Sequence, residues 1–67
     1  MRLILYLKAK NDRNGNPRRL FVDVENGSPA AIVSEGYGGT PEAYRGLPMI
    51  EVNITTEEYY NWLRWHP

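Results

Sequence analysis

The chain has 67 residues, with eight basic and eight acidic side chains, one histidine and no cysteine. This length predicts one domain over residues 1–67, and the lack of cysteine excludes disulfide bonds, thiolate nucleophiles and thiolate metal sites. The formal net charge of zero hides an asymmetry that can steer a charged partner, because six of the eight basic residues lie among the first 19 positions.

The amino-terminal half predicts three strands. Residues 3–7 are apolar at every position, which is typical of a strand whose two faces are both covered. A loop rich in turn-forming residues separates this strand from a second one at residues 20–24. Asn26 and Gly27 predict a tight hairpin, since both central positions of a type I′ turn need positive φ, and a third strand follows at residues 30–34.

The carboxy-terminal half predicts a helical turn, a strand and a helix. Residues 36–48 interrupt the strand pattern and contain one helical turn at residues 40–46, with a hydroxyl N-cap, a proline and a terminal glycine. Apolar and polar residues then alternate over residues 49–54, as in a strand with one buried face. Thr55 and Glu58 have the spacing of a capping box that begins a helix. The stripe that this helix turns towards the sheet consists of Tyr59, Trp62, Leu63 and His66.

These elements predict a small α+β fold. We expect a three-stranded antiparallel meander plus a fourth strand, with the C-terminal helix packed on one sheet face. The first strand is apolar on both faces and therefore belongs at the centre, which gives the spatial order 3-2-1-4. A crossover through residues 40–46 would place the fourth strand parallel to the first.

The apolar pattern also predicts the register of both hairpins. In the first hairpin, apolar residues face each other if Leu7 pairs with Leu20, and a slip of one residue would mix the two faces. The same register pairs Leu5 with Val22, and Leu3 with Val24. In the second hairpin, the two-residue turn opposes Glu25 to Ser28, and the pairing continues as Val22 with Ala31, Phe21 with Ile32 and Leu20 with Val33.

One consequence is a row of apolar residues on the outer face, meaning the sheet face away from the helix. The two registers place Tyr6, Phe21 and Ile32 in this row, and Ile4 lies beside it. Four large apolar groups exposed to water would be costly, so something must cover them.

Two ways of covering this row are possible. The segment 36–48 can fold back and lay Tyr44 and Leu47 over it. Alternatively, the row is a surface for a second copy of the chain or for another protein, and a half-exposed Trp65 adds to that contact. The residues predicted to bind a protein partner are therefore Ile4, Tyr6, Phe21, Ile32 and Trp65.

The basic residues of the first hairpin suggest a different partner. The register opposes Lys8 to Arg19, and like charges directly across a ladder destabilise it. A solvated hairpin end accounts for this arrangement, because long cationic side chains can splay into water. A phosphate backbone would also relieve the repulsion. The predicted anion-binding or nucleic-acid-binding residues are Lys8, Lys10, Arg13, Arg18 and Arg19.

Signals of catalysis are weak. His66 is the penultimate residue, where a frayed terminus cannot hold a catalytic ring. Glu57 and Glu58 are adjacent in a first helical turn, where acids complement the helix dipole. The glycine-rich residues 36–39 lack the spacing and the lysine of a phosphate loop. We therefore expect no enzyme, no catalytic residue, no metal, no cofactor and no small-molecule substrate.

The leading prediction is a non-catalytic binding module that acts through protein–protein contact, with a homodimer as one form. The alternative is a nucleic-acid-binding domain that uses the basic hairpin, which the sequence pI of about 6.6 disfavours. The longest apolar run, residues 3–7, is too short for a membrane span of about 20 residues. Together with the absence of cysteine, this favours a cytoplasmic protein without a membrane partner.

Overall fold

The computed structural model describes residues 1–34 and 42–65. The elements are β1 (Arg2–Ala9), β2 (Arg18–Glu25), β3 (Ser28–Ser34), a 3-10 helix (Glu42–Tyr44), β4 (Met49–Asn53) and α1 (Thr56–Leu63). The four strands form one mixed sheet in the order β3-β2-β1-β4, in which β4 runs parallel to β1 and the other neighbours are antiparallel. The predicted α+β fold, the strand order and the parallel fourth strand are confirmed.

Some sequence predictions fall outside the described residues. These are the glycine-rich run 36–39, the start of the helical turn at Thr40 and Pro41, and the last member of the helical stripe, His66.

The first hairpin has the predicted register. Leu7 pairs with Leu20, Leu5 with Val22, and Leu3 with Val24. This register keeps every second apolar residue of β1 and β2 on the face that α1 covers, as the pattern requires.

The second hairpin begins as predicted and then departs from the predicted register. Asn26 and Gly27 have φ values of 53° and 83°, so both central turn positions are left-handed, as a type I′ turn requires. Val24 faces Pro29, but Asp23 faces Ala31, which leaves one extra residue in β3 and makes a β-bulge. A proline donates no N–H to a ladder and is tolerated on edge strands and at bulges, which is where Pro29 lies.

The bulge moves Ile32 to the opposite face from the one predicted. Beyond the bulge, Ile32 pairs with Val22, and Val33 takes the predicted place of Ile32 opposite Phe21. The predicted row of Tyr6, Phe21 and Ile32 is therefore wrong in its third member. Ile32 packs instead against the core beneath α1.

The helix-side core is built around Tyr59. Tyr59 is the buried residue of α1, whereas Trp62 is half-buried and Leu63 is 44% exposed, so the predicted stripe is only partly inward-facing. The buried members of this core are Leu7, Leu20, Val22 and Tyr59. Half-buried apolar groups surround it, namely Leu5, Ala9, Val24, Ile32, Ile54 and Trp62.

The outer face has a second core that the chain covers by itself. Ile4 is 0% and Phe21 is 2% exposed, because Tyr44 packs against them together with the half-buried Tyr6 and Leu47. The ring of Tyr6 stacks on that of Phe21 with centroids 4.7 Å apart, and Tyr44 meets Phe21 edge-on at 6.3 Å. Of the two predicted covers, Tyr44 and Leu47 are therefore the one present.

The helix α1 begins with the predicted capping box. The Thr55 hydroxyl accepts a hydrogen bond from the Glu58 backbone N–H at 3.0 Å, and the Glu58 carboxylate accepts one from the Thr55 N–H at 3.0 Å. Two backbone donors at the helix start are thus satisfied by neighbouring side chains.

Replacing the capping hydroxyl should weaken the fold. We expect Thr55→Ala to lower the free energy of unfolding by about 1 kcal/mol, measured by urea denaturation, because a helix N–H loses its acceptor. Thr55→Ser keeps the hydroxyl and should behave like the parent. A nearly silent Thr55→Ala together with a loss in Thr56→Ala would show that the helix is capped one residue later.

The outer core can be tested with a matched pair of substitutions on one face. We expect Phe21→Ala to lower the free energy of unfolding by about 3–5 kcal/mol, and Phe21→Lys to unfold the domain because it buries a charge. Val33→Lys places the same charge opposite Phe21 at a position that is 37% exposed, and should be nearly neutral in thermal denaturation. A folded Phe21→Lys variant would contradict the covered outer face.

Candidate protein-interaction surface

The largest group of exposed apolar side chains on one strand lies on β4. All five residues of this strand are exposed, with Met49 at 41%, Ile50 at 50% and Val52 at 37%. Because β4 is the last strand of the sheet, its outer side has no neighbouring strand among the described residues. We call the outward side of Met49–Asn53 the β4 edge.

The exposure of Ile50 and Val52 follows from the width of the helix. These two residues pair with Leu5 and Leu7 and so lie on the same sheet face as α1. The helix packs on β1 and β2, and a helix of about 10 Å diameter covers roughly two strands spaced about 4.8 Å apart. Ile50 and Val52 therefore lie beside the helix and are only partly covered.

The backbone of the β4 edge faces outward at alternate residues. The Ile4 N–H donates to the Pro48 carbonyl at 2.8 Å, and the Ile54 N–H donates to the Lys8 carbonyl at 2.9 Å. Even-numbered residues of this segment thus point their backbone groups towards β1. The groups that point away from β1 belong to Met49, Glu51 and Asn53, and they have no hydrogen-bond partner among the described residues.

The two edges of the sheet differ in how they resist pairing. β3 carries Pro29 and the bulge at Ala30, two features that keep a further strand from adding to an edge. The described β4 strand contains neither a proline nor a bulge. Its one charged side chain, Glu51, forms an ion pair with Lys8 at 3.1 Å.

The helix adds an aromatic groove on one of its sides. Trp62 and Trp65 are both half-buried, their ring centroids are 6.4 Å apart, and together with Glu58 and Asn61 they line a groove of about 250 Å³. Tyr60 lies on the other side of the helix, where the Arg18 guanidinium of β2 is 5.6 Å from its ring. Since successive helical residues turn by about 100°, the aromatic groove and the contact between Tyr60 and Arg18 lie on opposite flanks of α1.

The structure does not bring the five residues predicted to bind a protein into one exposed surface. Ile4 and Phe21 are buried beneath Tyr44, and Ile32 lies on the opposite sheet face because of the bulge. Tyr6 is half-buried between Phe21 and the hairpin cations. Trp65 keeps partial exposure, as predicted, and lies next to Trp62 at the end of α1.

Sequence reasoning missed the β4 edge, although a signal for it was present. The order 3-2-1-4 already made the fourth strand an edge, and its alternation placed Ile50 and Val52 on the helix face. A single helix cannot cover four strands. These two facts together indicate exposed apolar residues on the outermost strand.

The basic residues of the first hairpin do not converge on one surface. Lys8 and Arg19 oppose each other as predicted, but Lys8 pairs with Glu51 and Arg19 donates to the Tyr6 hydroxyl at 3.1 Å. Arg18 lies on the helix face near Tyr60, and Arg13 is exposed in the hairpin loop. The cations that share a cleft, about 500 Å³ in volume and next to the start of α1, are Lys8, Lys10 and Arg19.

An ion pair between the exposed Arg2 and the buried Asp23 lies at the far end of the first hairpin. The Arg2 guanidinium donates to both carboxylate oxygens of Asp23, with its shortest contact at 2.7 Å, and Asp23 is buried. Glu25 lies directly opposite Arg2 in the ladder but is exposed. The hydrogen bonds from Arg2 hold the pKa of Asp23 below its ordinary value, although burial acts in the opposite direction.

Among the described residues, there is no group of three or more histidine, cysteine, aspartate or glutamate side chains that could hold a metal ion. In the part of the chain that the structure describes, no helix is long and apolar enough to cross a membrane. The chain matches no protein-family model, no curated protein and no solved structure.

The Arg2–Asp23 pair should make stability depend on acidic pH. Because the folded-state pKa of Asp23 is below the ordinary 3.8, its stabilising contribution is present above pH 3.8 and is lost as the pH falls through the folded value. We expect the Asp23 carboxyl carbon to titrate below 3.8 by NMR. In Arg2→Met, burial acts without the guanidinium and should move the titration above 3.8, whereas an unchanged titration would contradict the role given to Arg2.

Proposed function

We propose that the protein is a non-catalytic binding module that acts through protein–protein contact at the β4 edge. The observation that carries this proposal is the coincidence of two features on one strand. Its apolar side chains Met49, Ile50 and Val52 are exposed, and its outward backbone groups have no partner among the described residues.

Both features suit the addition of a strand from a partner. In β-augmentation, main-chain hydrogen bonds supply affinity and pockets for alternate side chains supply specificity. Ile50 and Val52 offer apolar contact on the sheet face that carries α1, and the groove at Trp62 and Trp65 offers aromatic anchors on the helix itself. This surface replaces the outer row that the sequence predicted, while the class of function stays the same.

Nucleic-acid binding is the second candidate. The observation in its favour is the cleft that Lys8, Lys10 and Arg19 line together. Against it, Glu51 already neutralises Lys8, Arg18 lies on the other sheet face and the sequence pI is about 6.6. The protein-binding proposal is therefore favoured, with a cytoplasmic location as part of it because the chain has no cysteine.

Site-specific photo-crosslinking tests the proposal in the cells that naturally produce the chain. A photoreactive phenylalanine analogue in place of Ile50 should give a discrete protein adduct, because this side chain is exposed beside the unpaired edge. The matched control carries the same analogue in place of Ala30, an exposed residue at the bulge of the opposite edge.

The kind of adduct and the position that gives it distinguish protein binding from nucleic-acid binding. A protein adduct from position 50 with none from position 30 supports the proposal, whether the adduct contains a second copy or another protein. No adduct from position 50, or equal adducts from both positions, contradicts it. An RNA or DNA adduct from an analogue at Lys10, with no protein adduct at position 50, would support nucleic-acid binding.

A further inference from the structure

We propose that the partner of the β4 edge is a second copy of this chain, with the two β4 strands paired antiparallel about a two-fold axis at Glu51. This inference rests on the proposed function and adds the identity and register of the partner. It is carried by three properties of β4: its outward backbone groups, its apolar pairs and its charges.

The outward backbone groups are arranged symmetrically about Glu51. In the proposed register, Glu51 faces its own copy, and Met49 faces Asn53 of the second copy. Residues at these positions form hydrogen-bonded pairs in an antiparallel ladder, in which each residue donates its N–H to the other and accepts in return. Every outward N–H and C=O of β4 then has a partner.

The same register pairs the apolar side chains. Ile50 of one copy faces Val52 of the second copy, and the two-fold axis repeats this pair. Such positions are non-hydrogen-bonded pairs, where side chains approach most closely. Both helices then lie on one face of a continuous sheet.

The charge at Glu51 permits a second copy because Lys8 of the same copy accompanies it. Two Glu51 carboxylates facing each other would repel. Each carboxylate lies 3.1 Å from its own Lys8 ammonium, so each of the two facing anions is accompanied by a cation of its own copy. The chain itself thus supplies the neutralising charge that this register needs.

The opposite edge explains why association would stop at two copies. Pairing at both edges would produce an open filament. The proline and bulge of β3 keep a second strand from adding at that edge. A closed two-fold dimer is therefore the expected assembly.

Sedimentation equilibrium over a range of protein concentrations tests this dimer, with far-UV circular dichroism to verify folding. We expect the parent to be a monomer–dimer mixture. We expect Lys8→Gln to weaken dimerisation by about tenfold, because two carboxylates then face each other without their cations. Glu51→Gln removes the repulsion and should dimerise at least as well as the parent, and the double variant should recover the affinity lost in Lys8→Gln.

The outcomes separate this inference from the proposed function. A parent that stays monomeric at about 1 mM, where even weak complexes form, overturns the second copy as partner. Equal weakening by Lys8→Gln and Glu51→Gln, without recovery in the double variant, overturns the register at Glu51. Crosslinks from position 50 to a different protein, with a monomeric parent, would leave the proposed function standing and refute the dimer.

Discussion

The first strand needs hydrogen-bonded neighbours on both edges and apolar cover on both faces. This requirement determines where the other elements lie in the fold. β1 pairs with β2 on one edge and with β4 on the other. Leu7 is buried beneath α1, while Ile4 on the opposite face is buried beneath Tyr44. Residues 44–47 therefore do more than connect β3 with β4, because Tyr44 and Leu47 cover the outer face. A domain of this size has few other apolar groups with which to do so.

Covering β1 from both sides leaves the outermost strand exposed. A single short helix reaches across β1 and β2, and the outer core is centred on Phe21 and Tyr44. Neither element extends over β4, whose residues are all exposed. The candidate interface is thus a by-product of how a small chain distributes its apolar cover. It differs from the β3 edge, where Pro29 and the bulge obstruct further pairing.

The sequence was a good guide where a pattern had one physical solution. The first hairpin could be aligned because a slip would mix its faces, and Thr55 could be identified as the helix cap because its reciprocal partner Glu58 follows at the required spacing. The bulge could not be placed, since a two-residue turn sets the pairing only near the turn, and Pro29 offers two solutions, an edge position or a bulge. For that reason Ile32 was predicted on the outer face, whereas it lies on the face that carries α1. The β4 edge depended on how far α1 and the 3-10 helix reach, which is a property of packing.

Amide hydrogen exchange along β4 tests the pairing of two copies most directly. The N–H groups of Ile50, Val52 and Ile54 face β1 and should exchange slowly at every protein concentration. The N–H groups of Glu51 and Asn53 face outward and should exchange quickly in dilute protein and slowly in concentrated protein, as they become bonded to the second copy. If Glu51 and Asn53 exchange at the same fast rate at all concentrations up to about 1 mM, the two copies do not pair through β4.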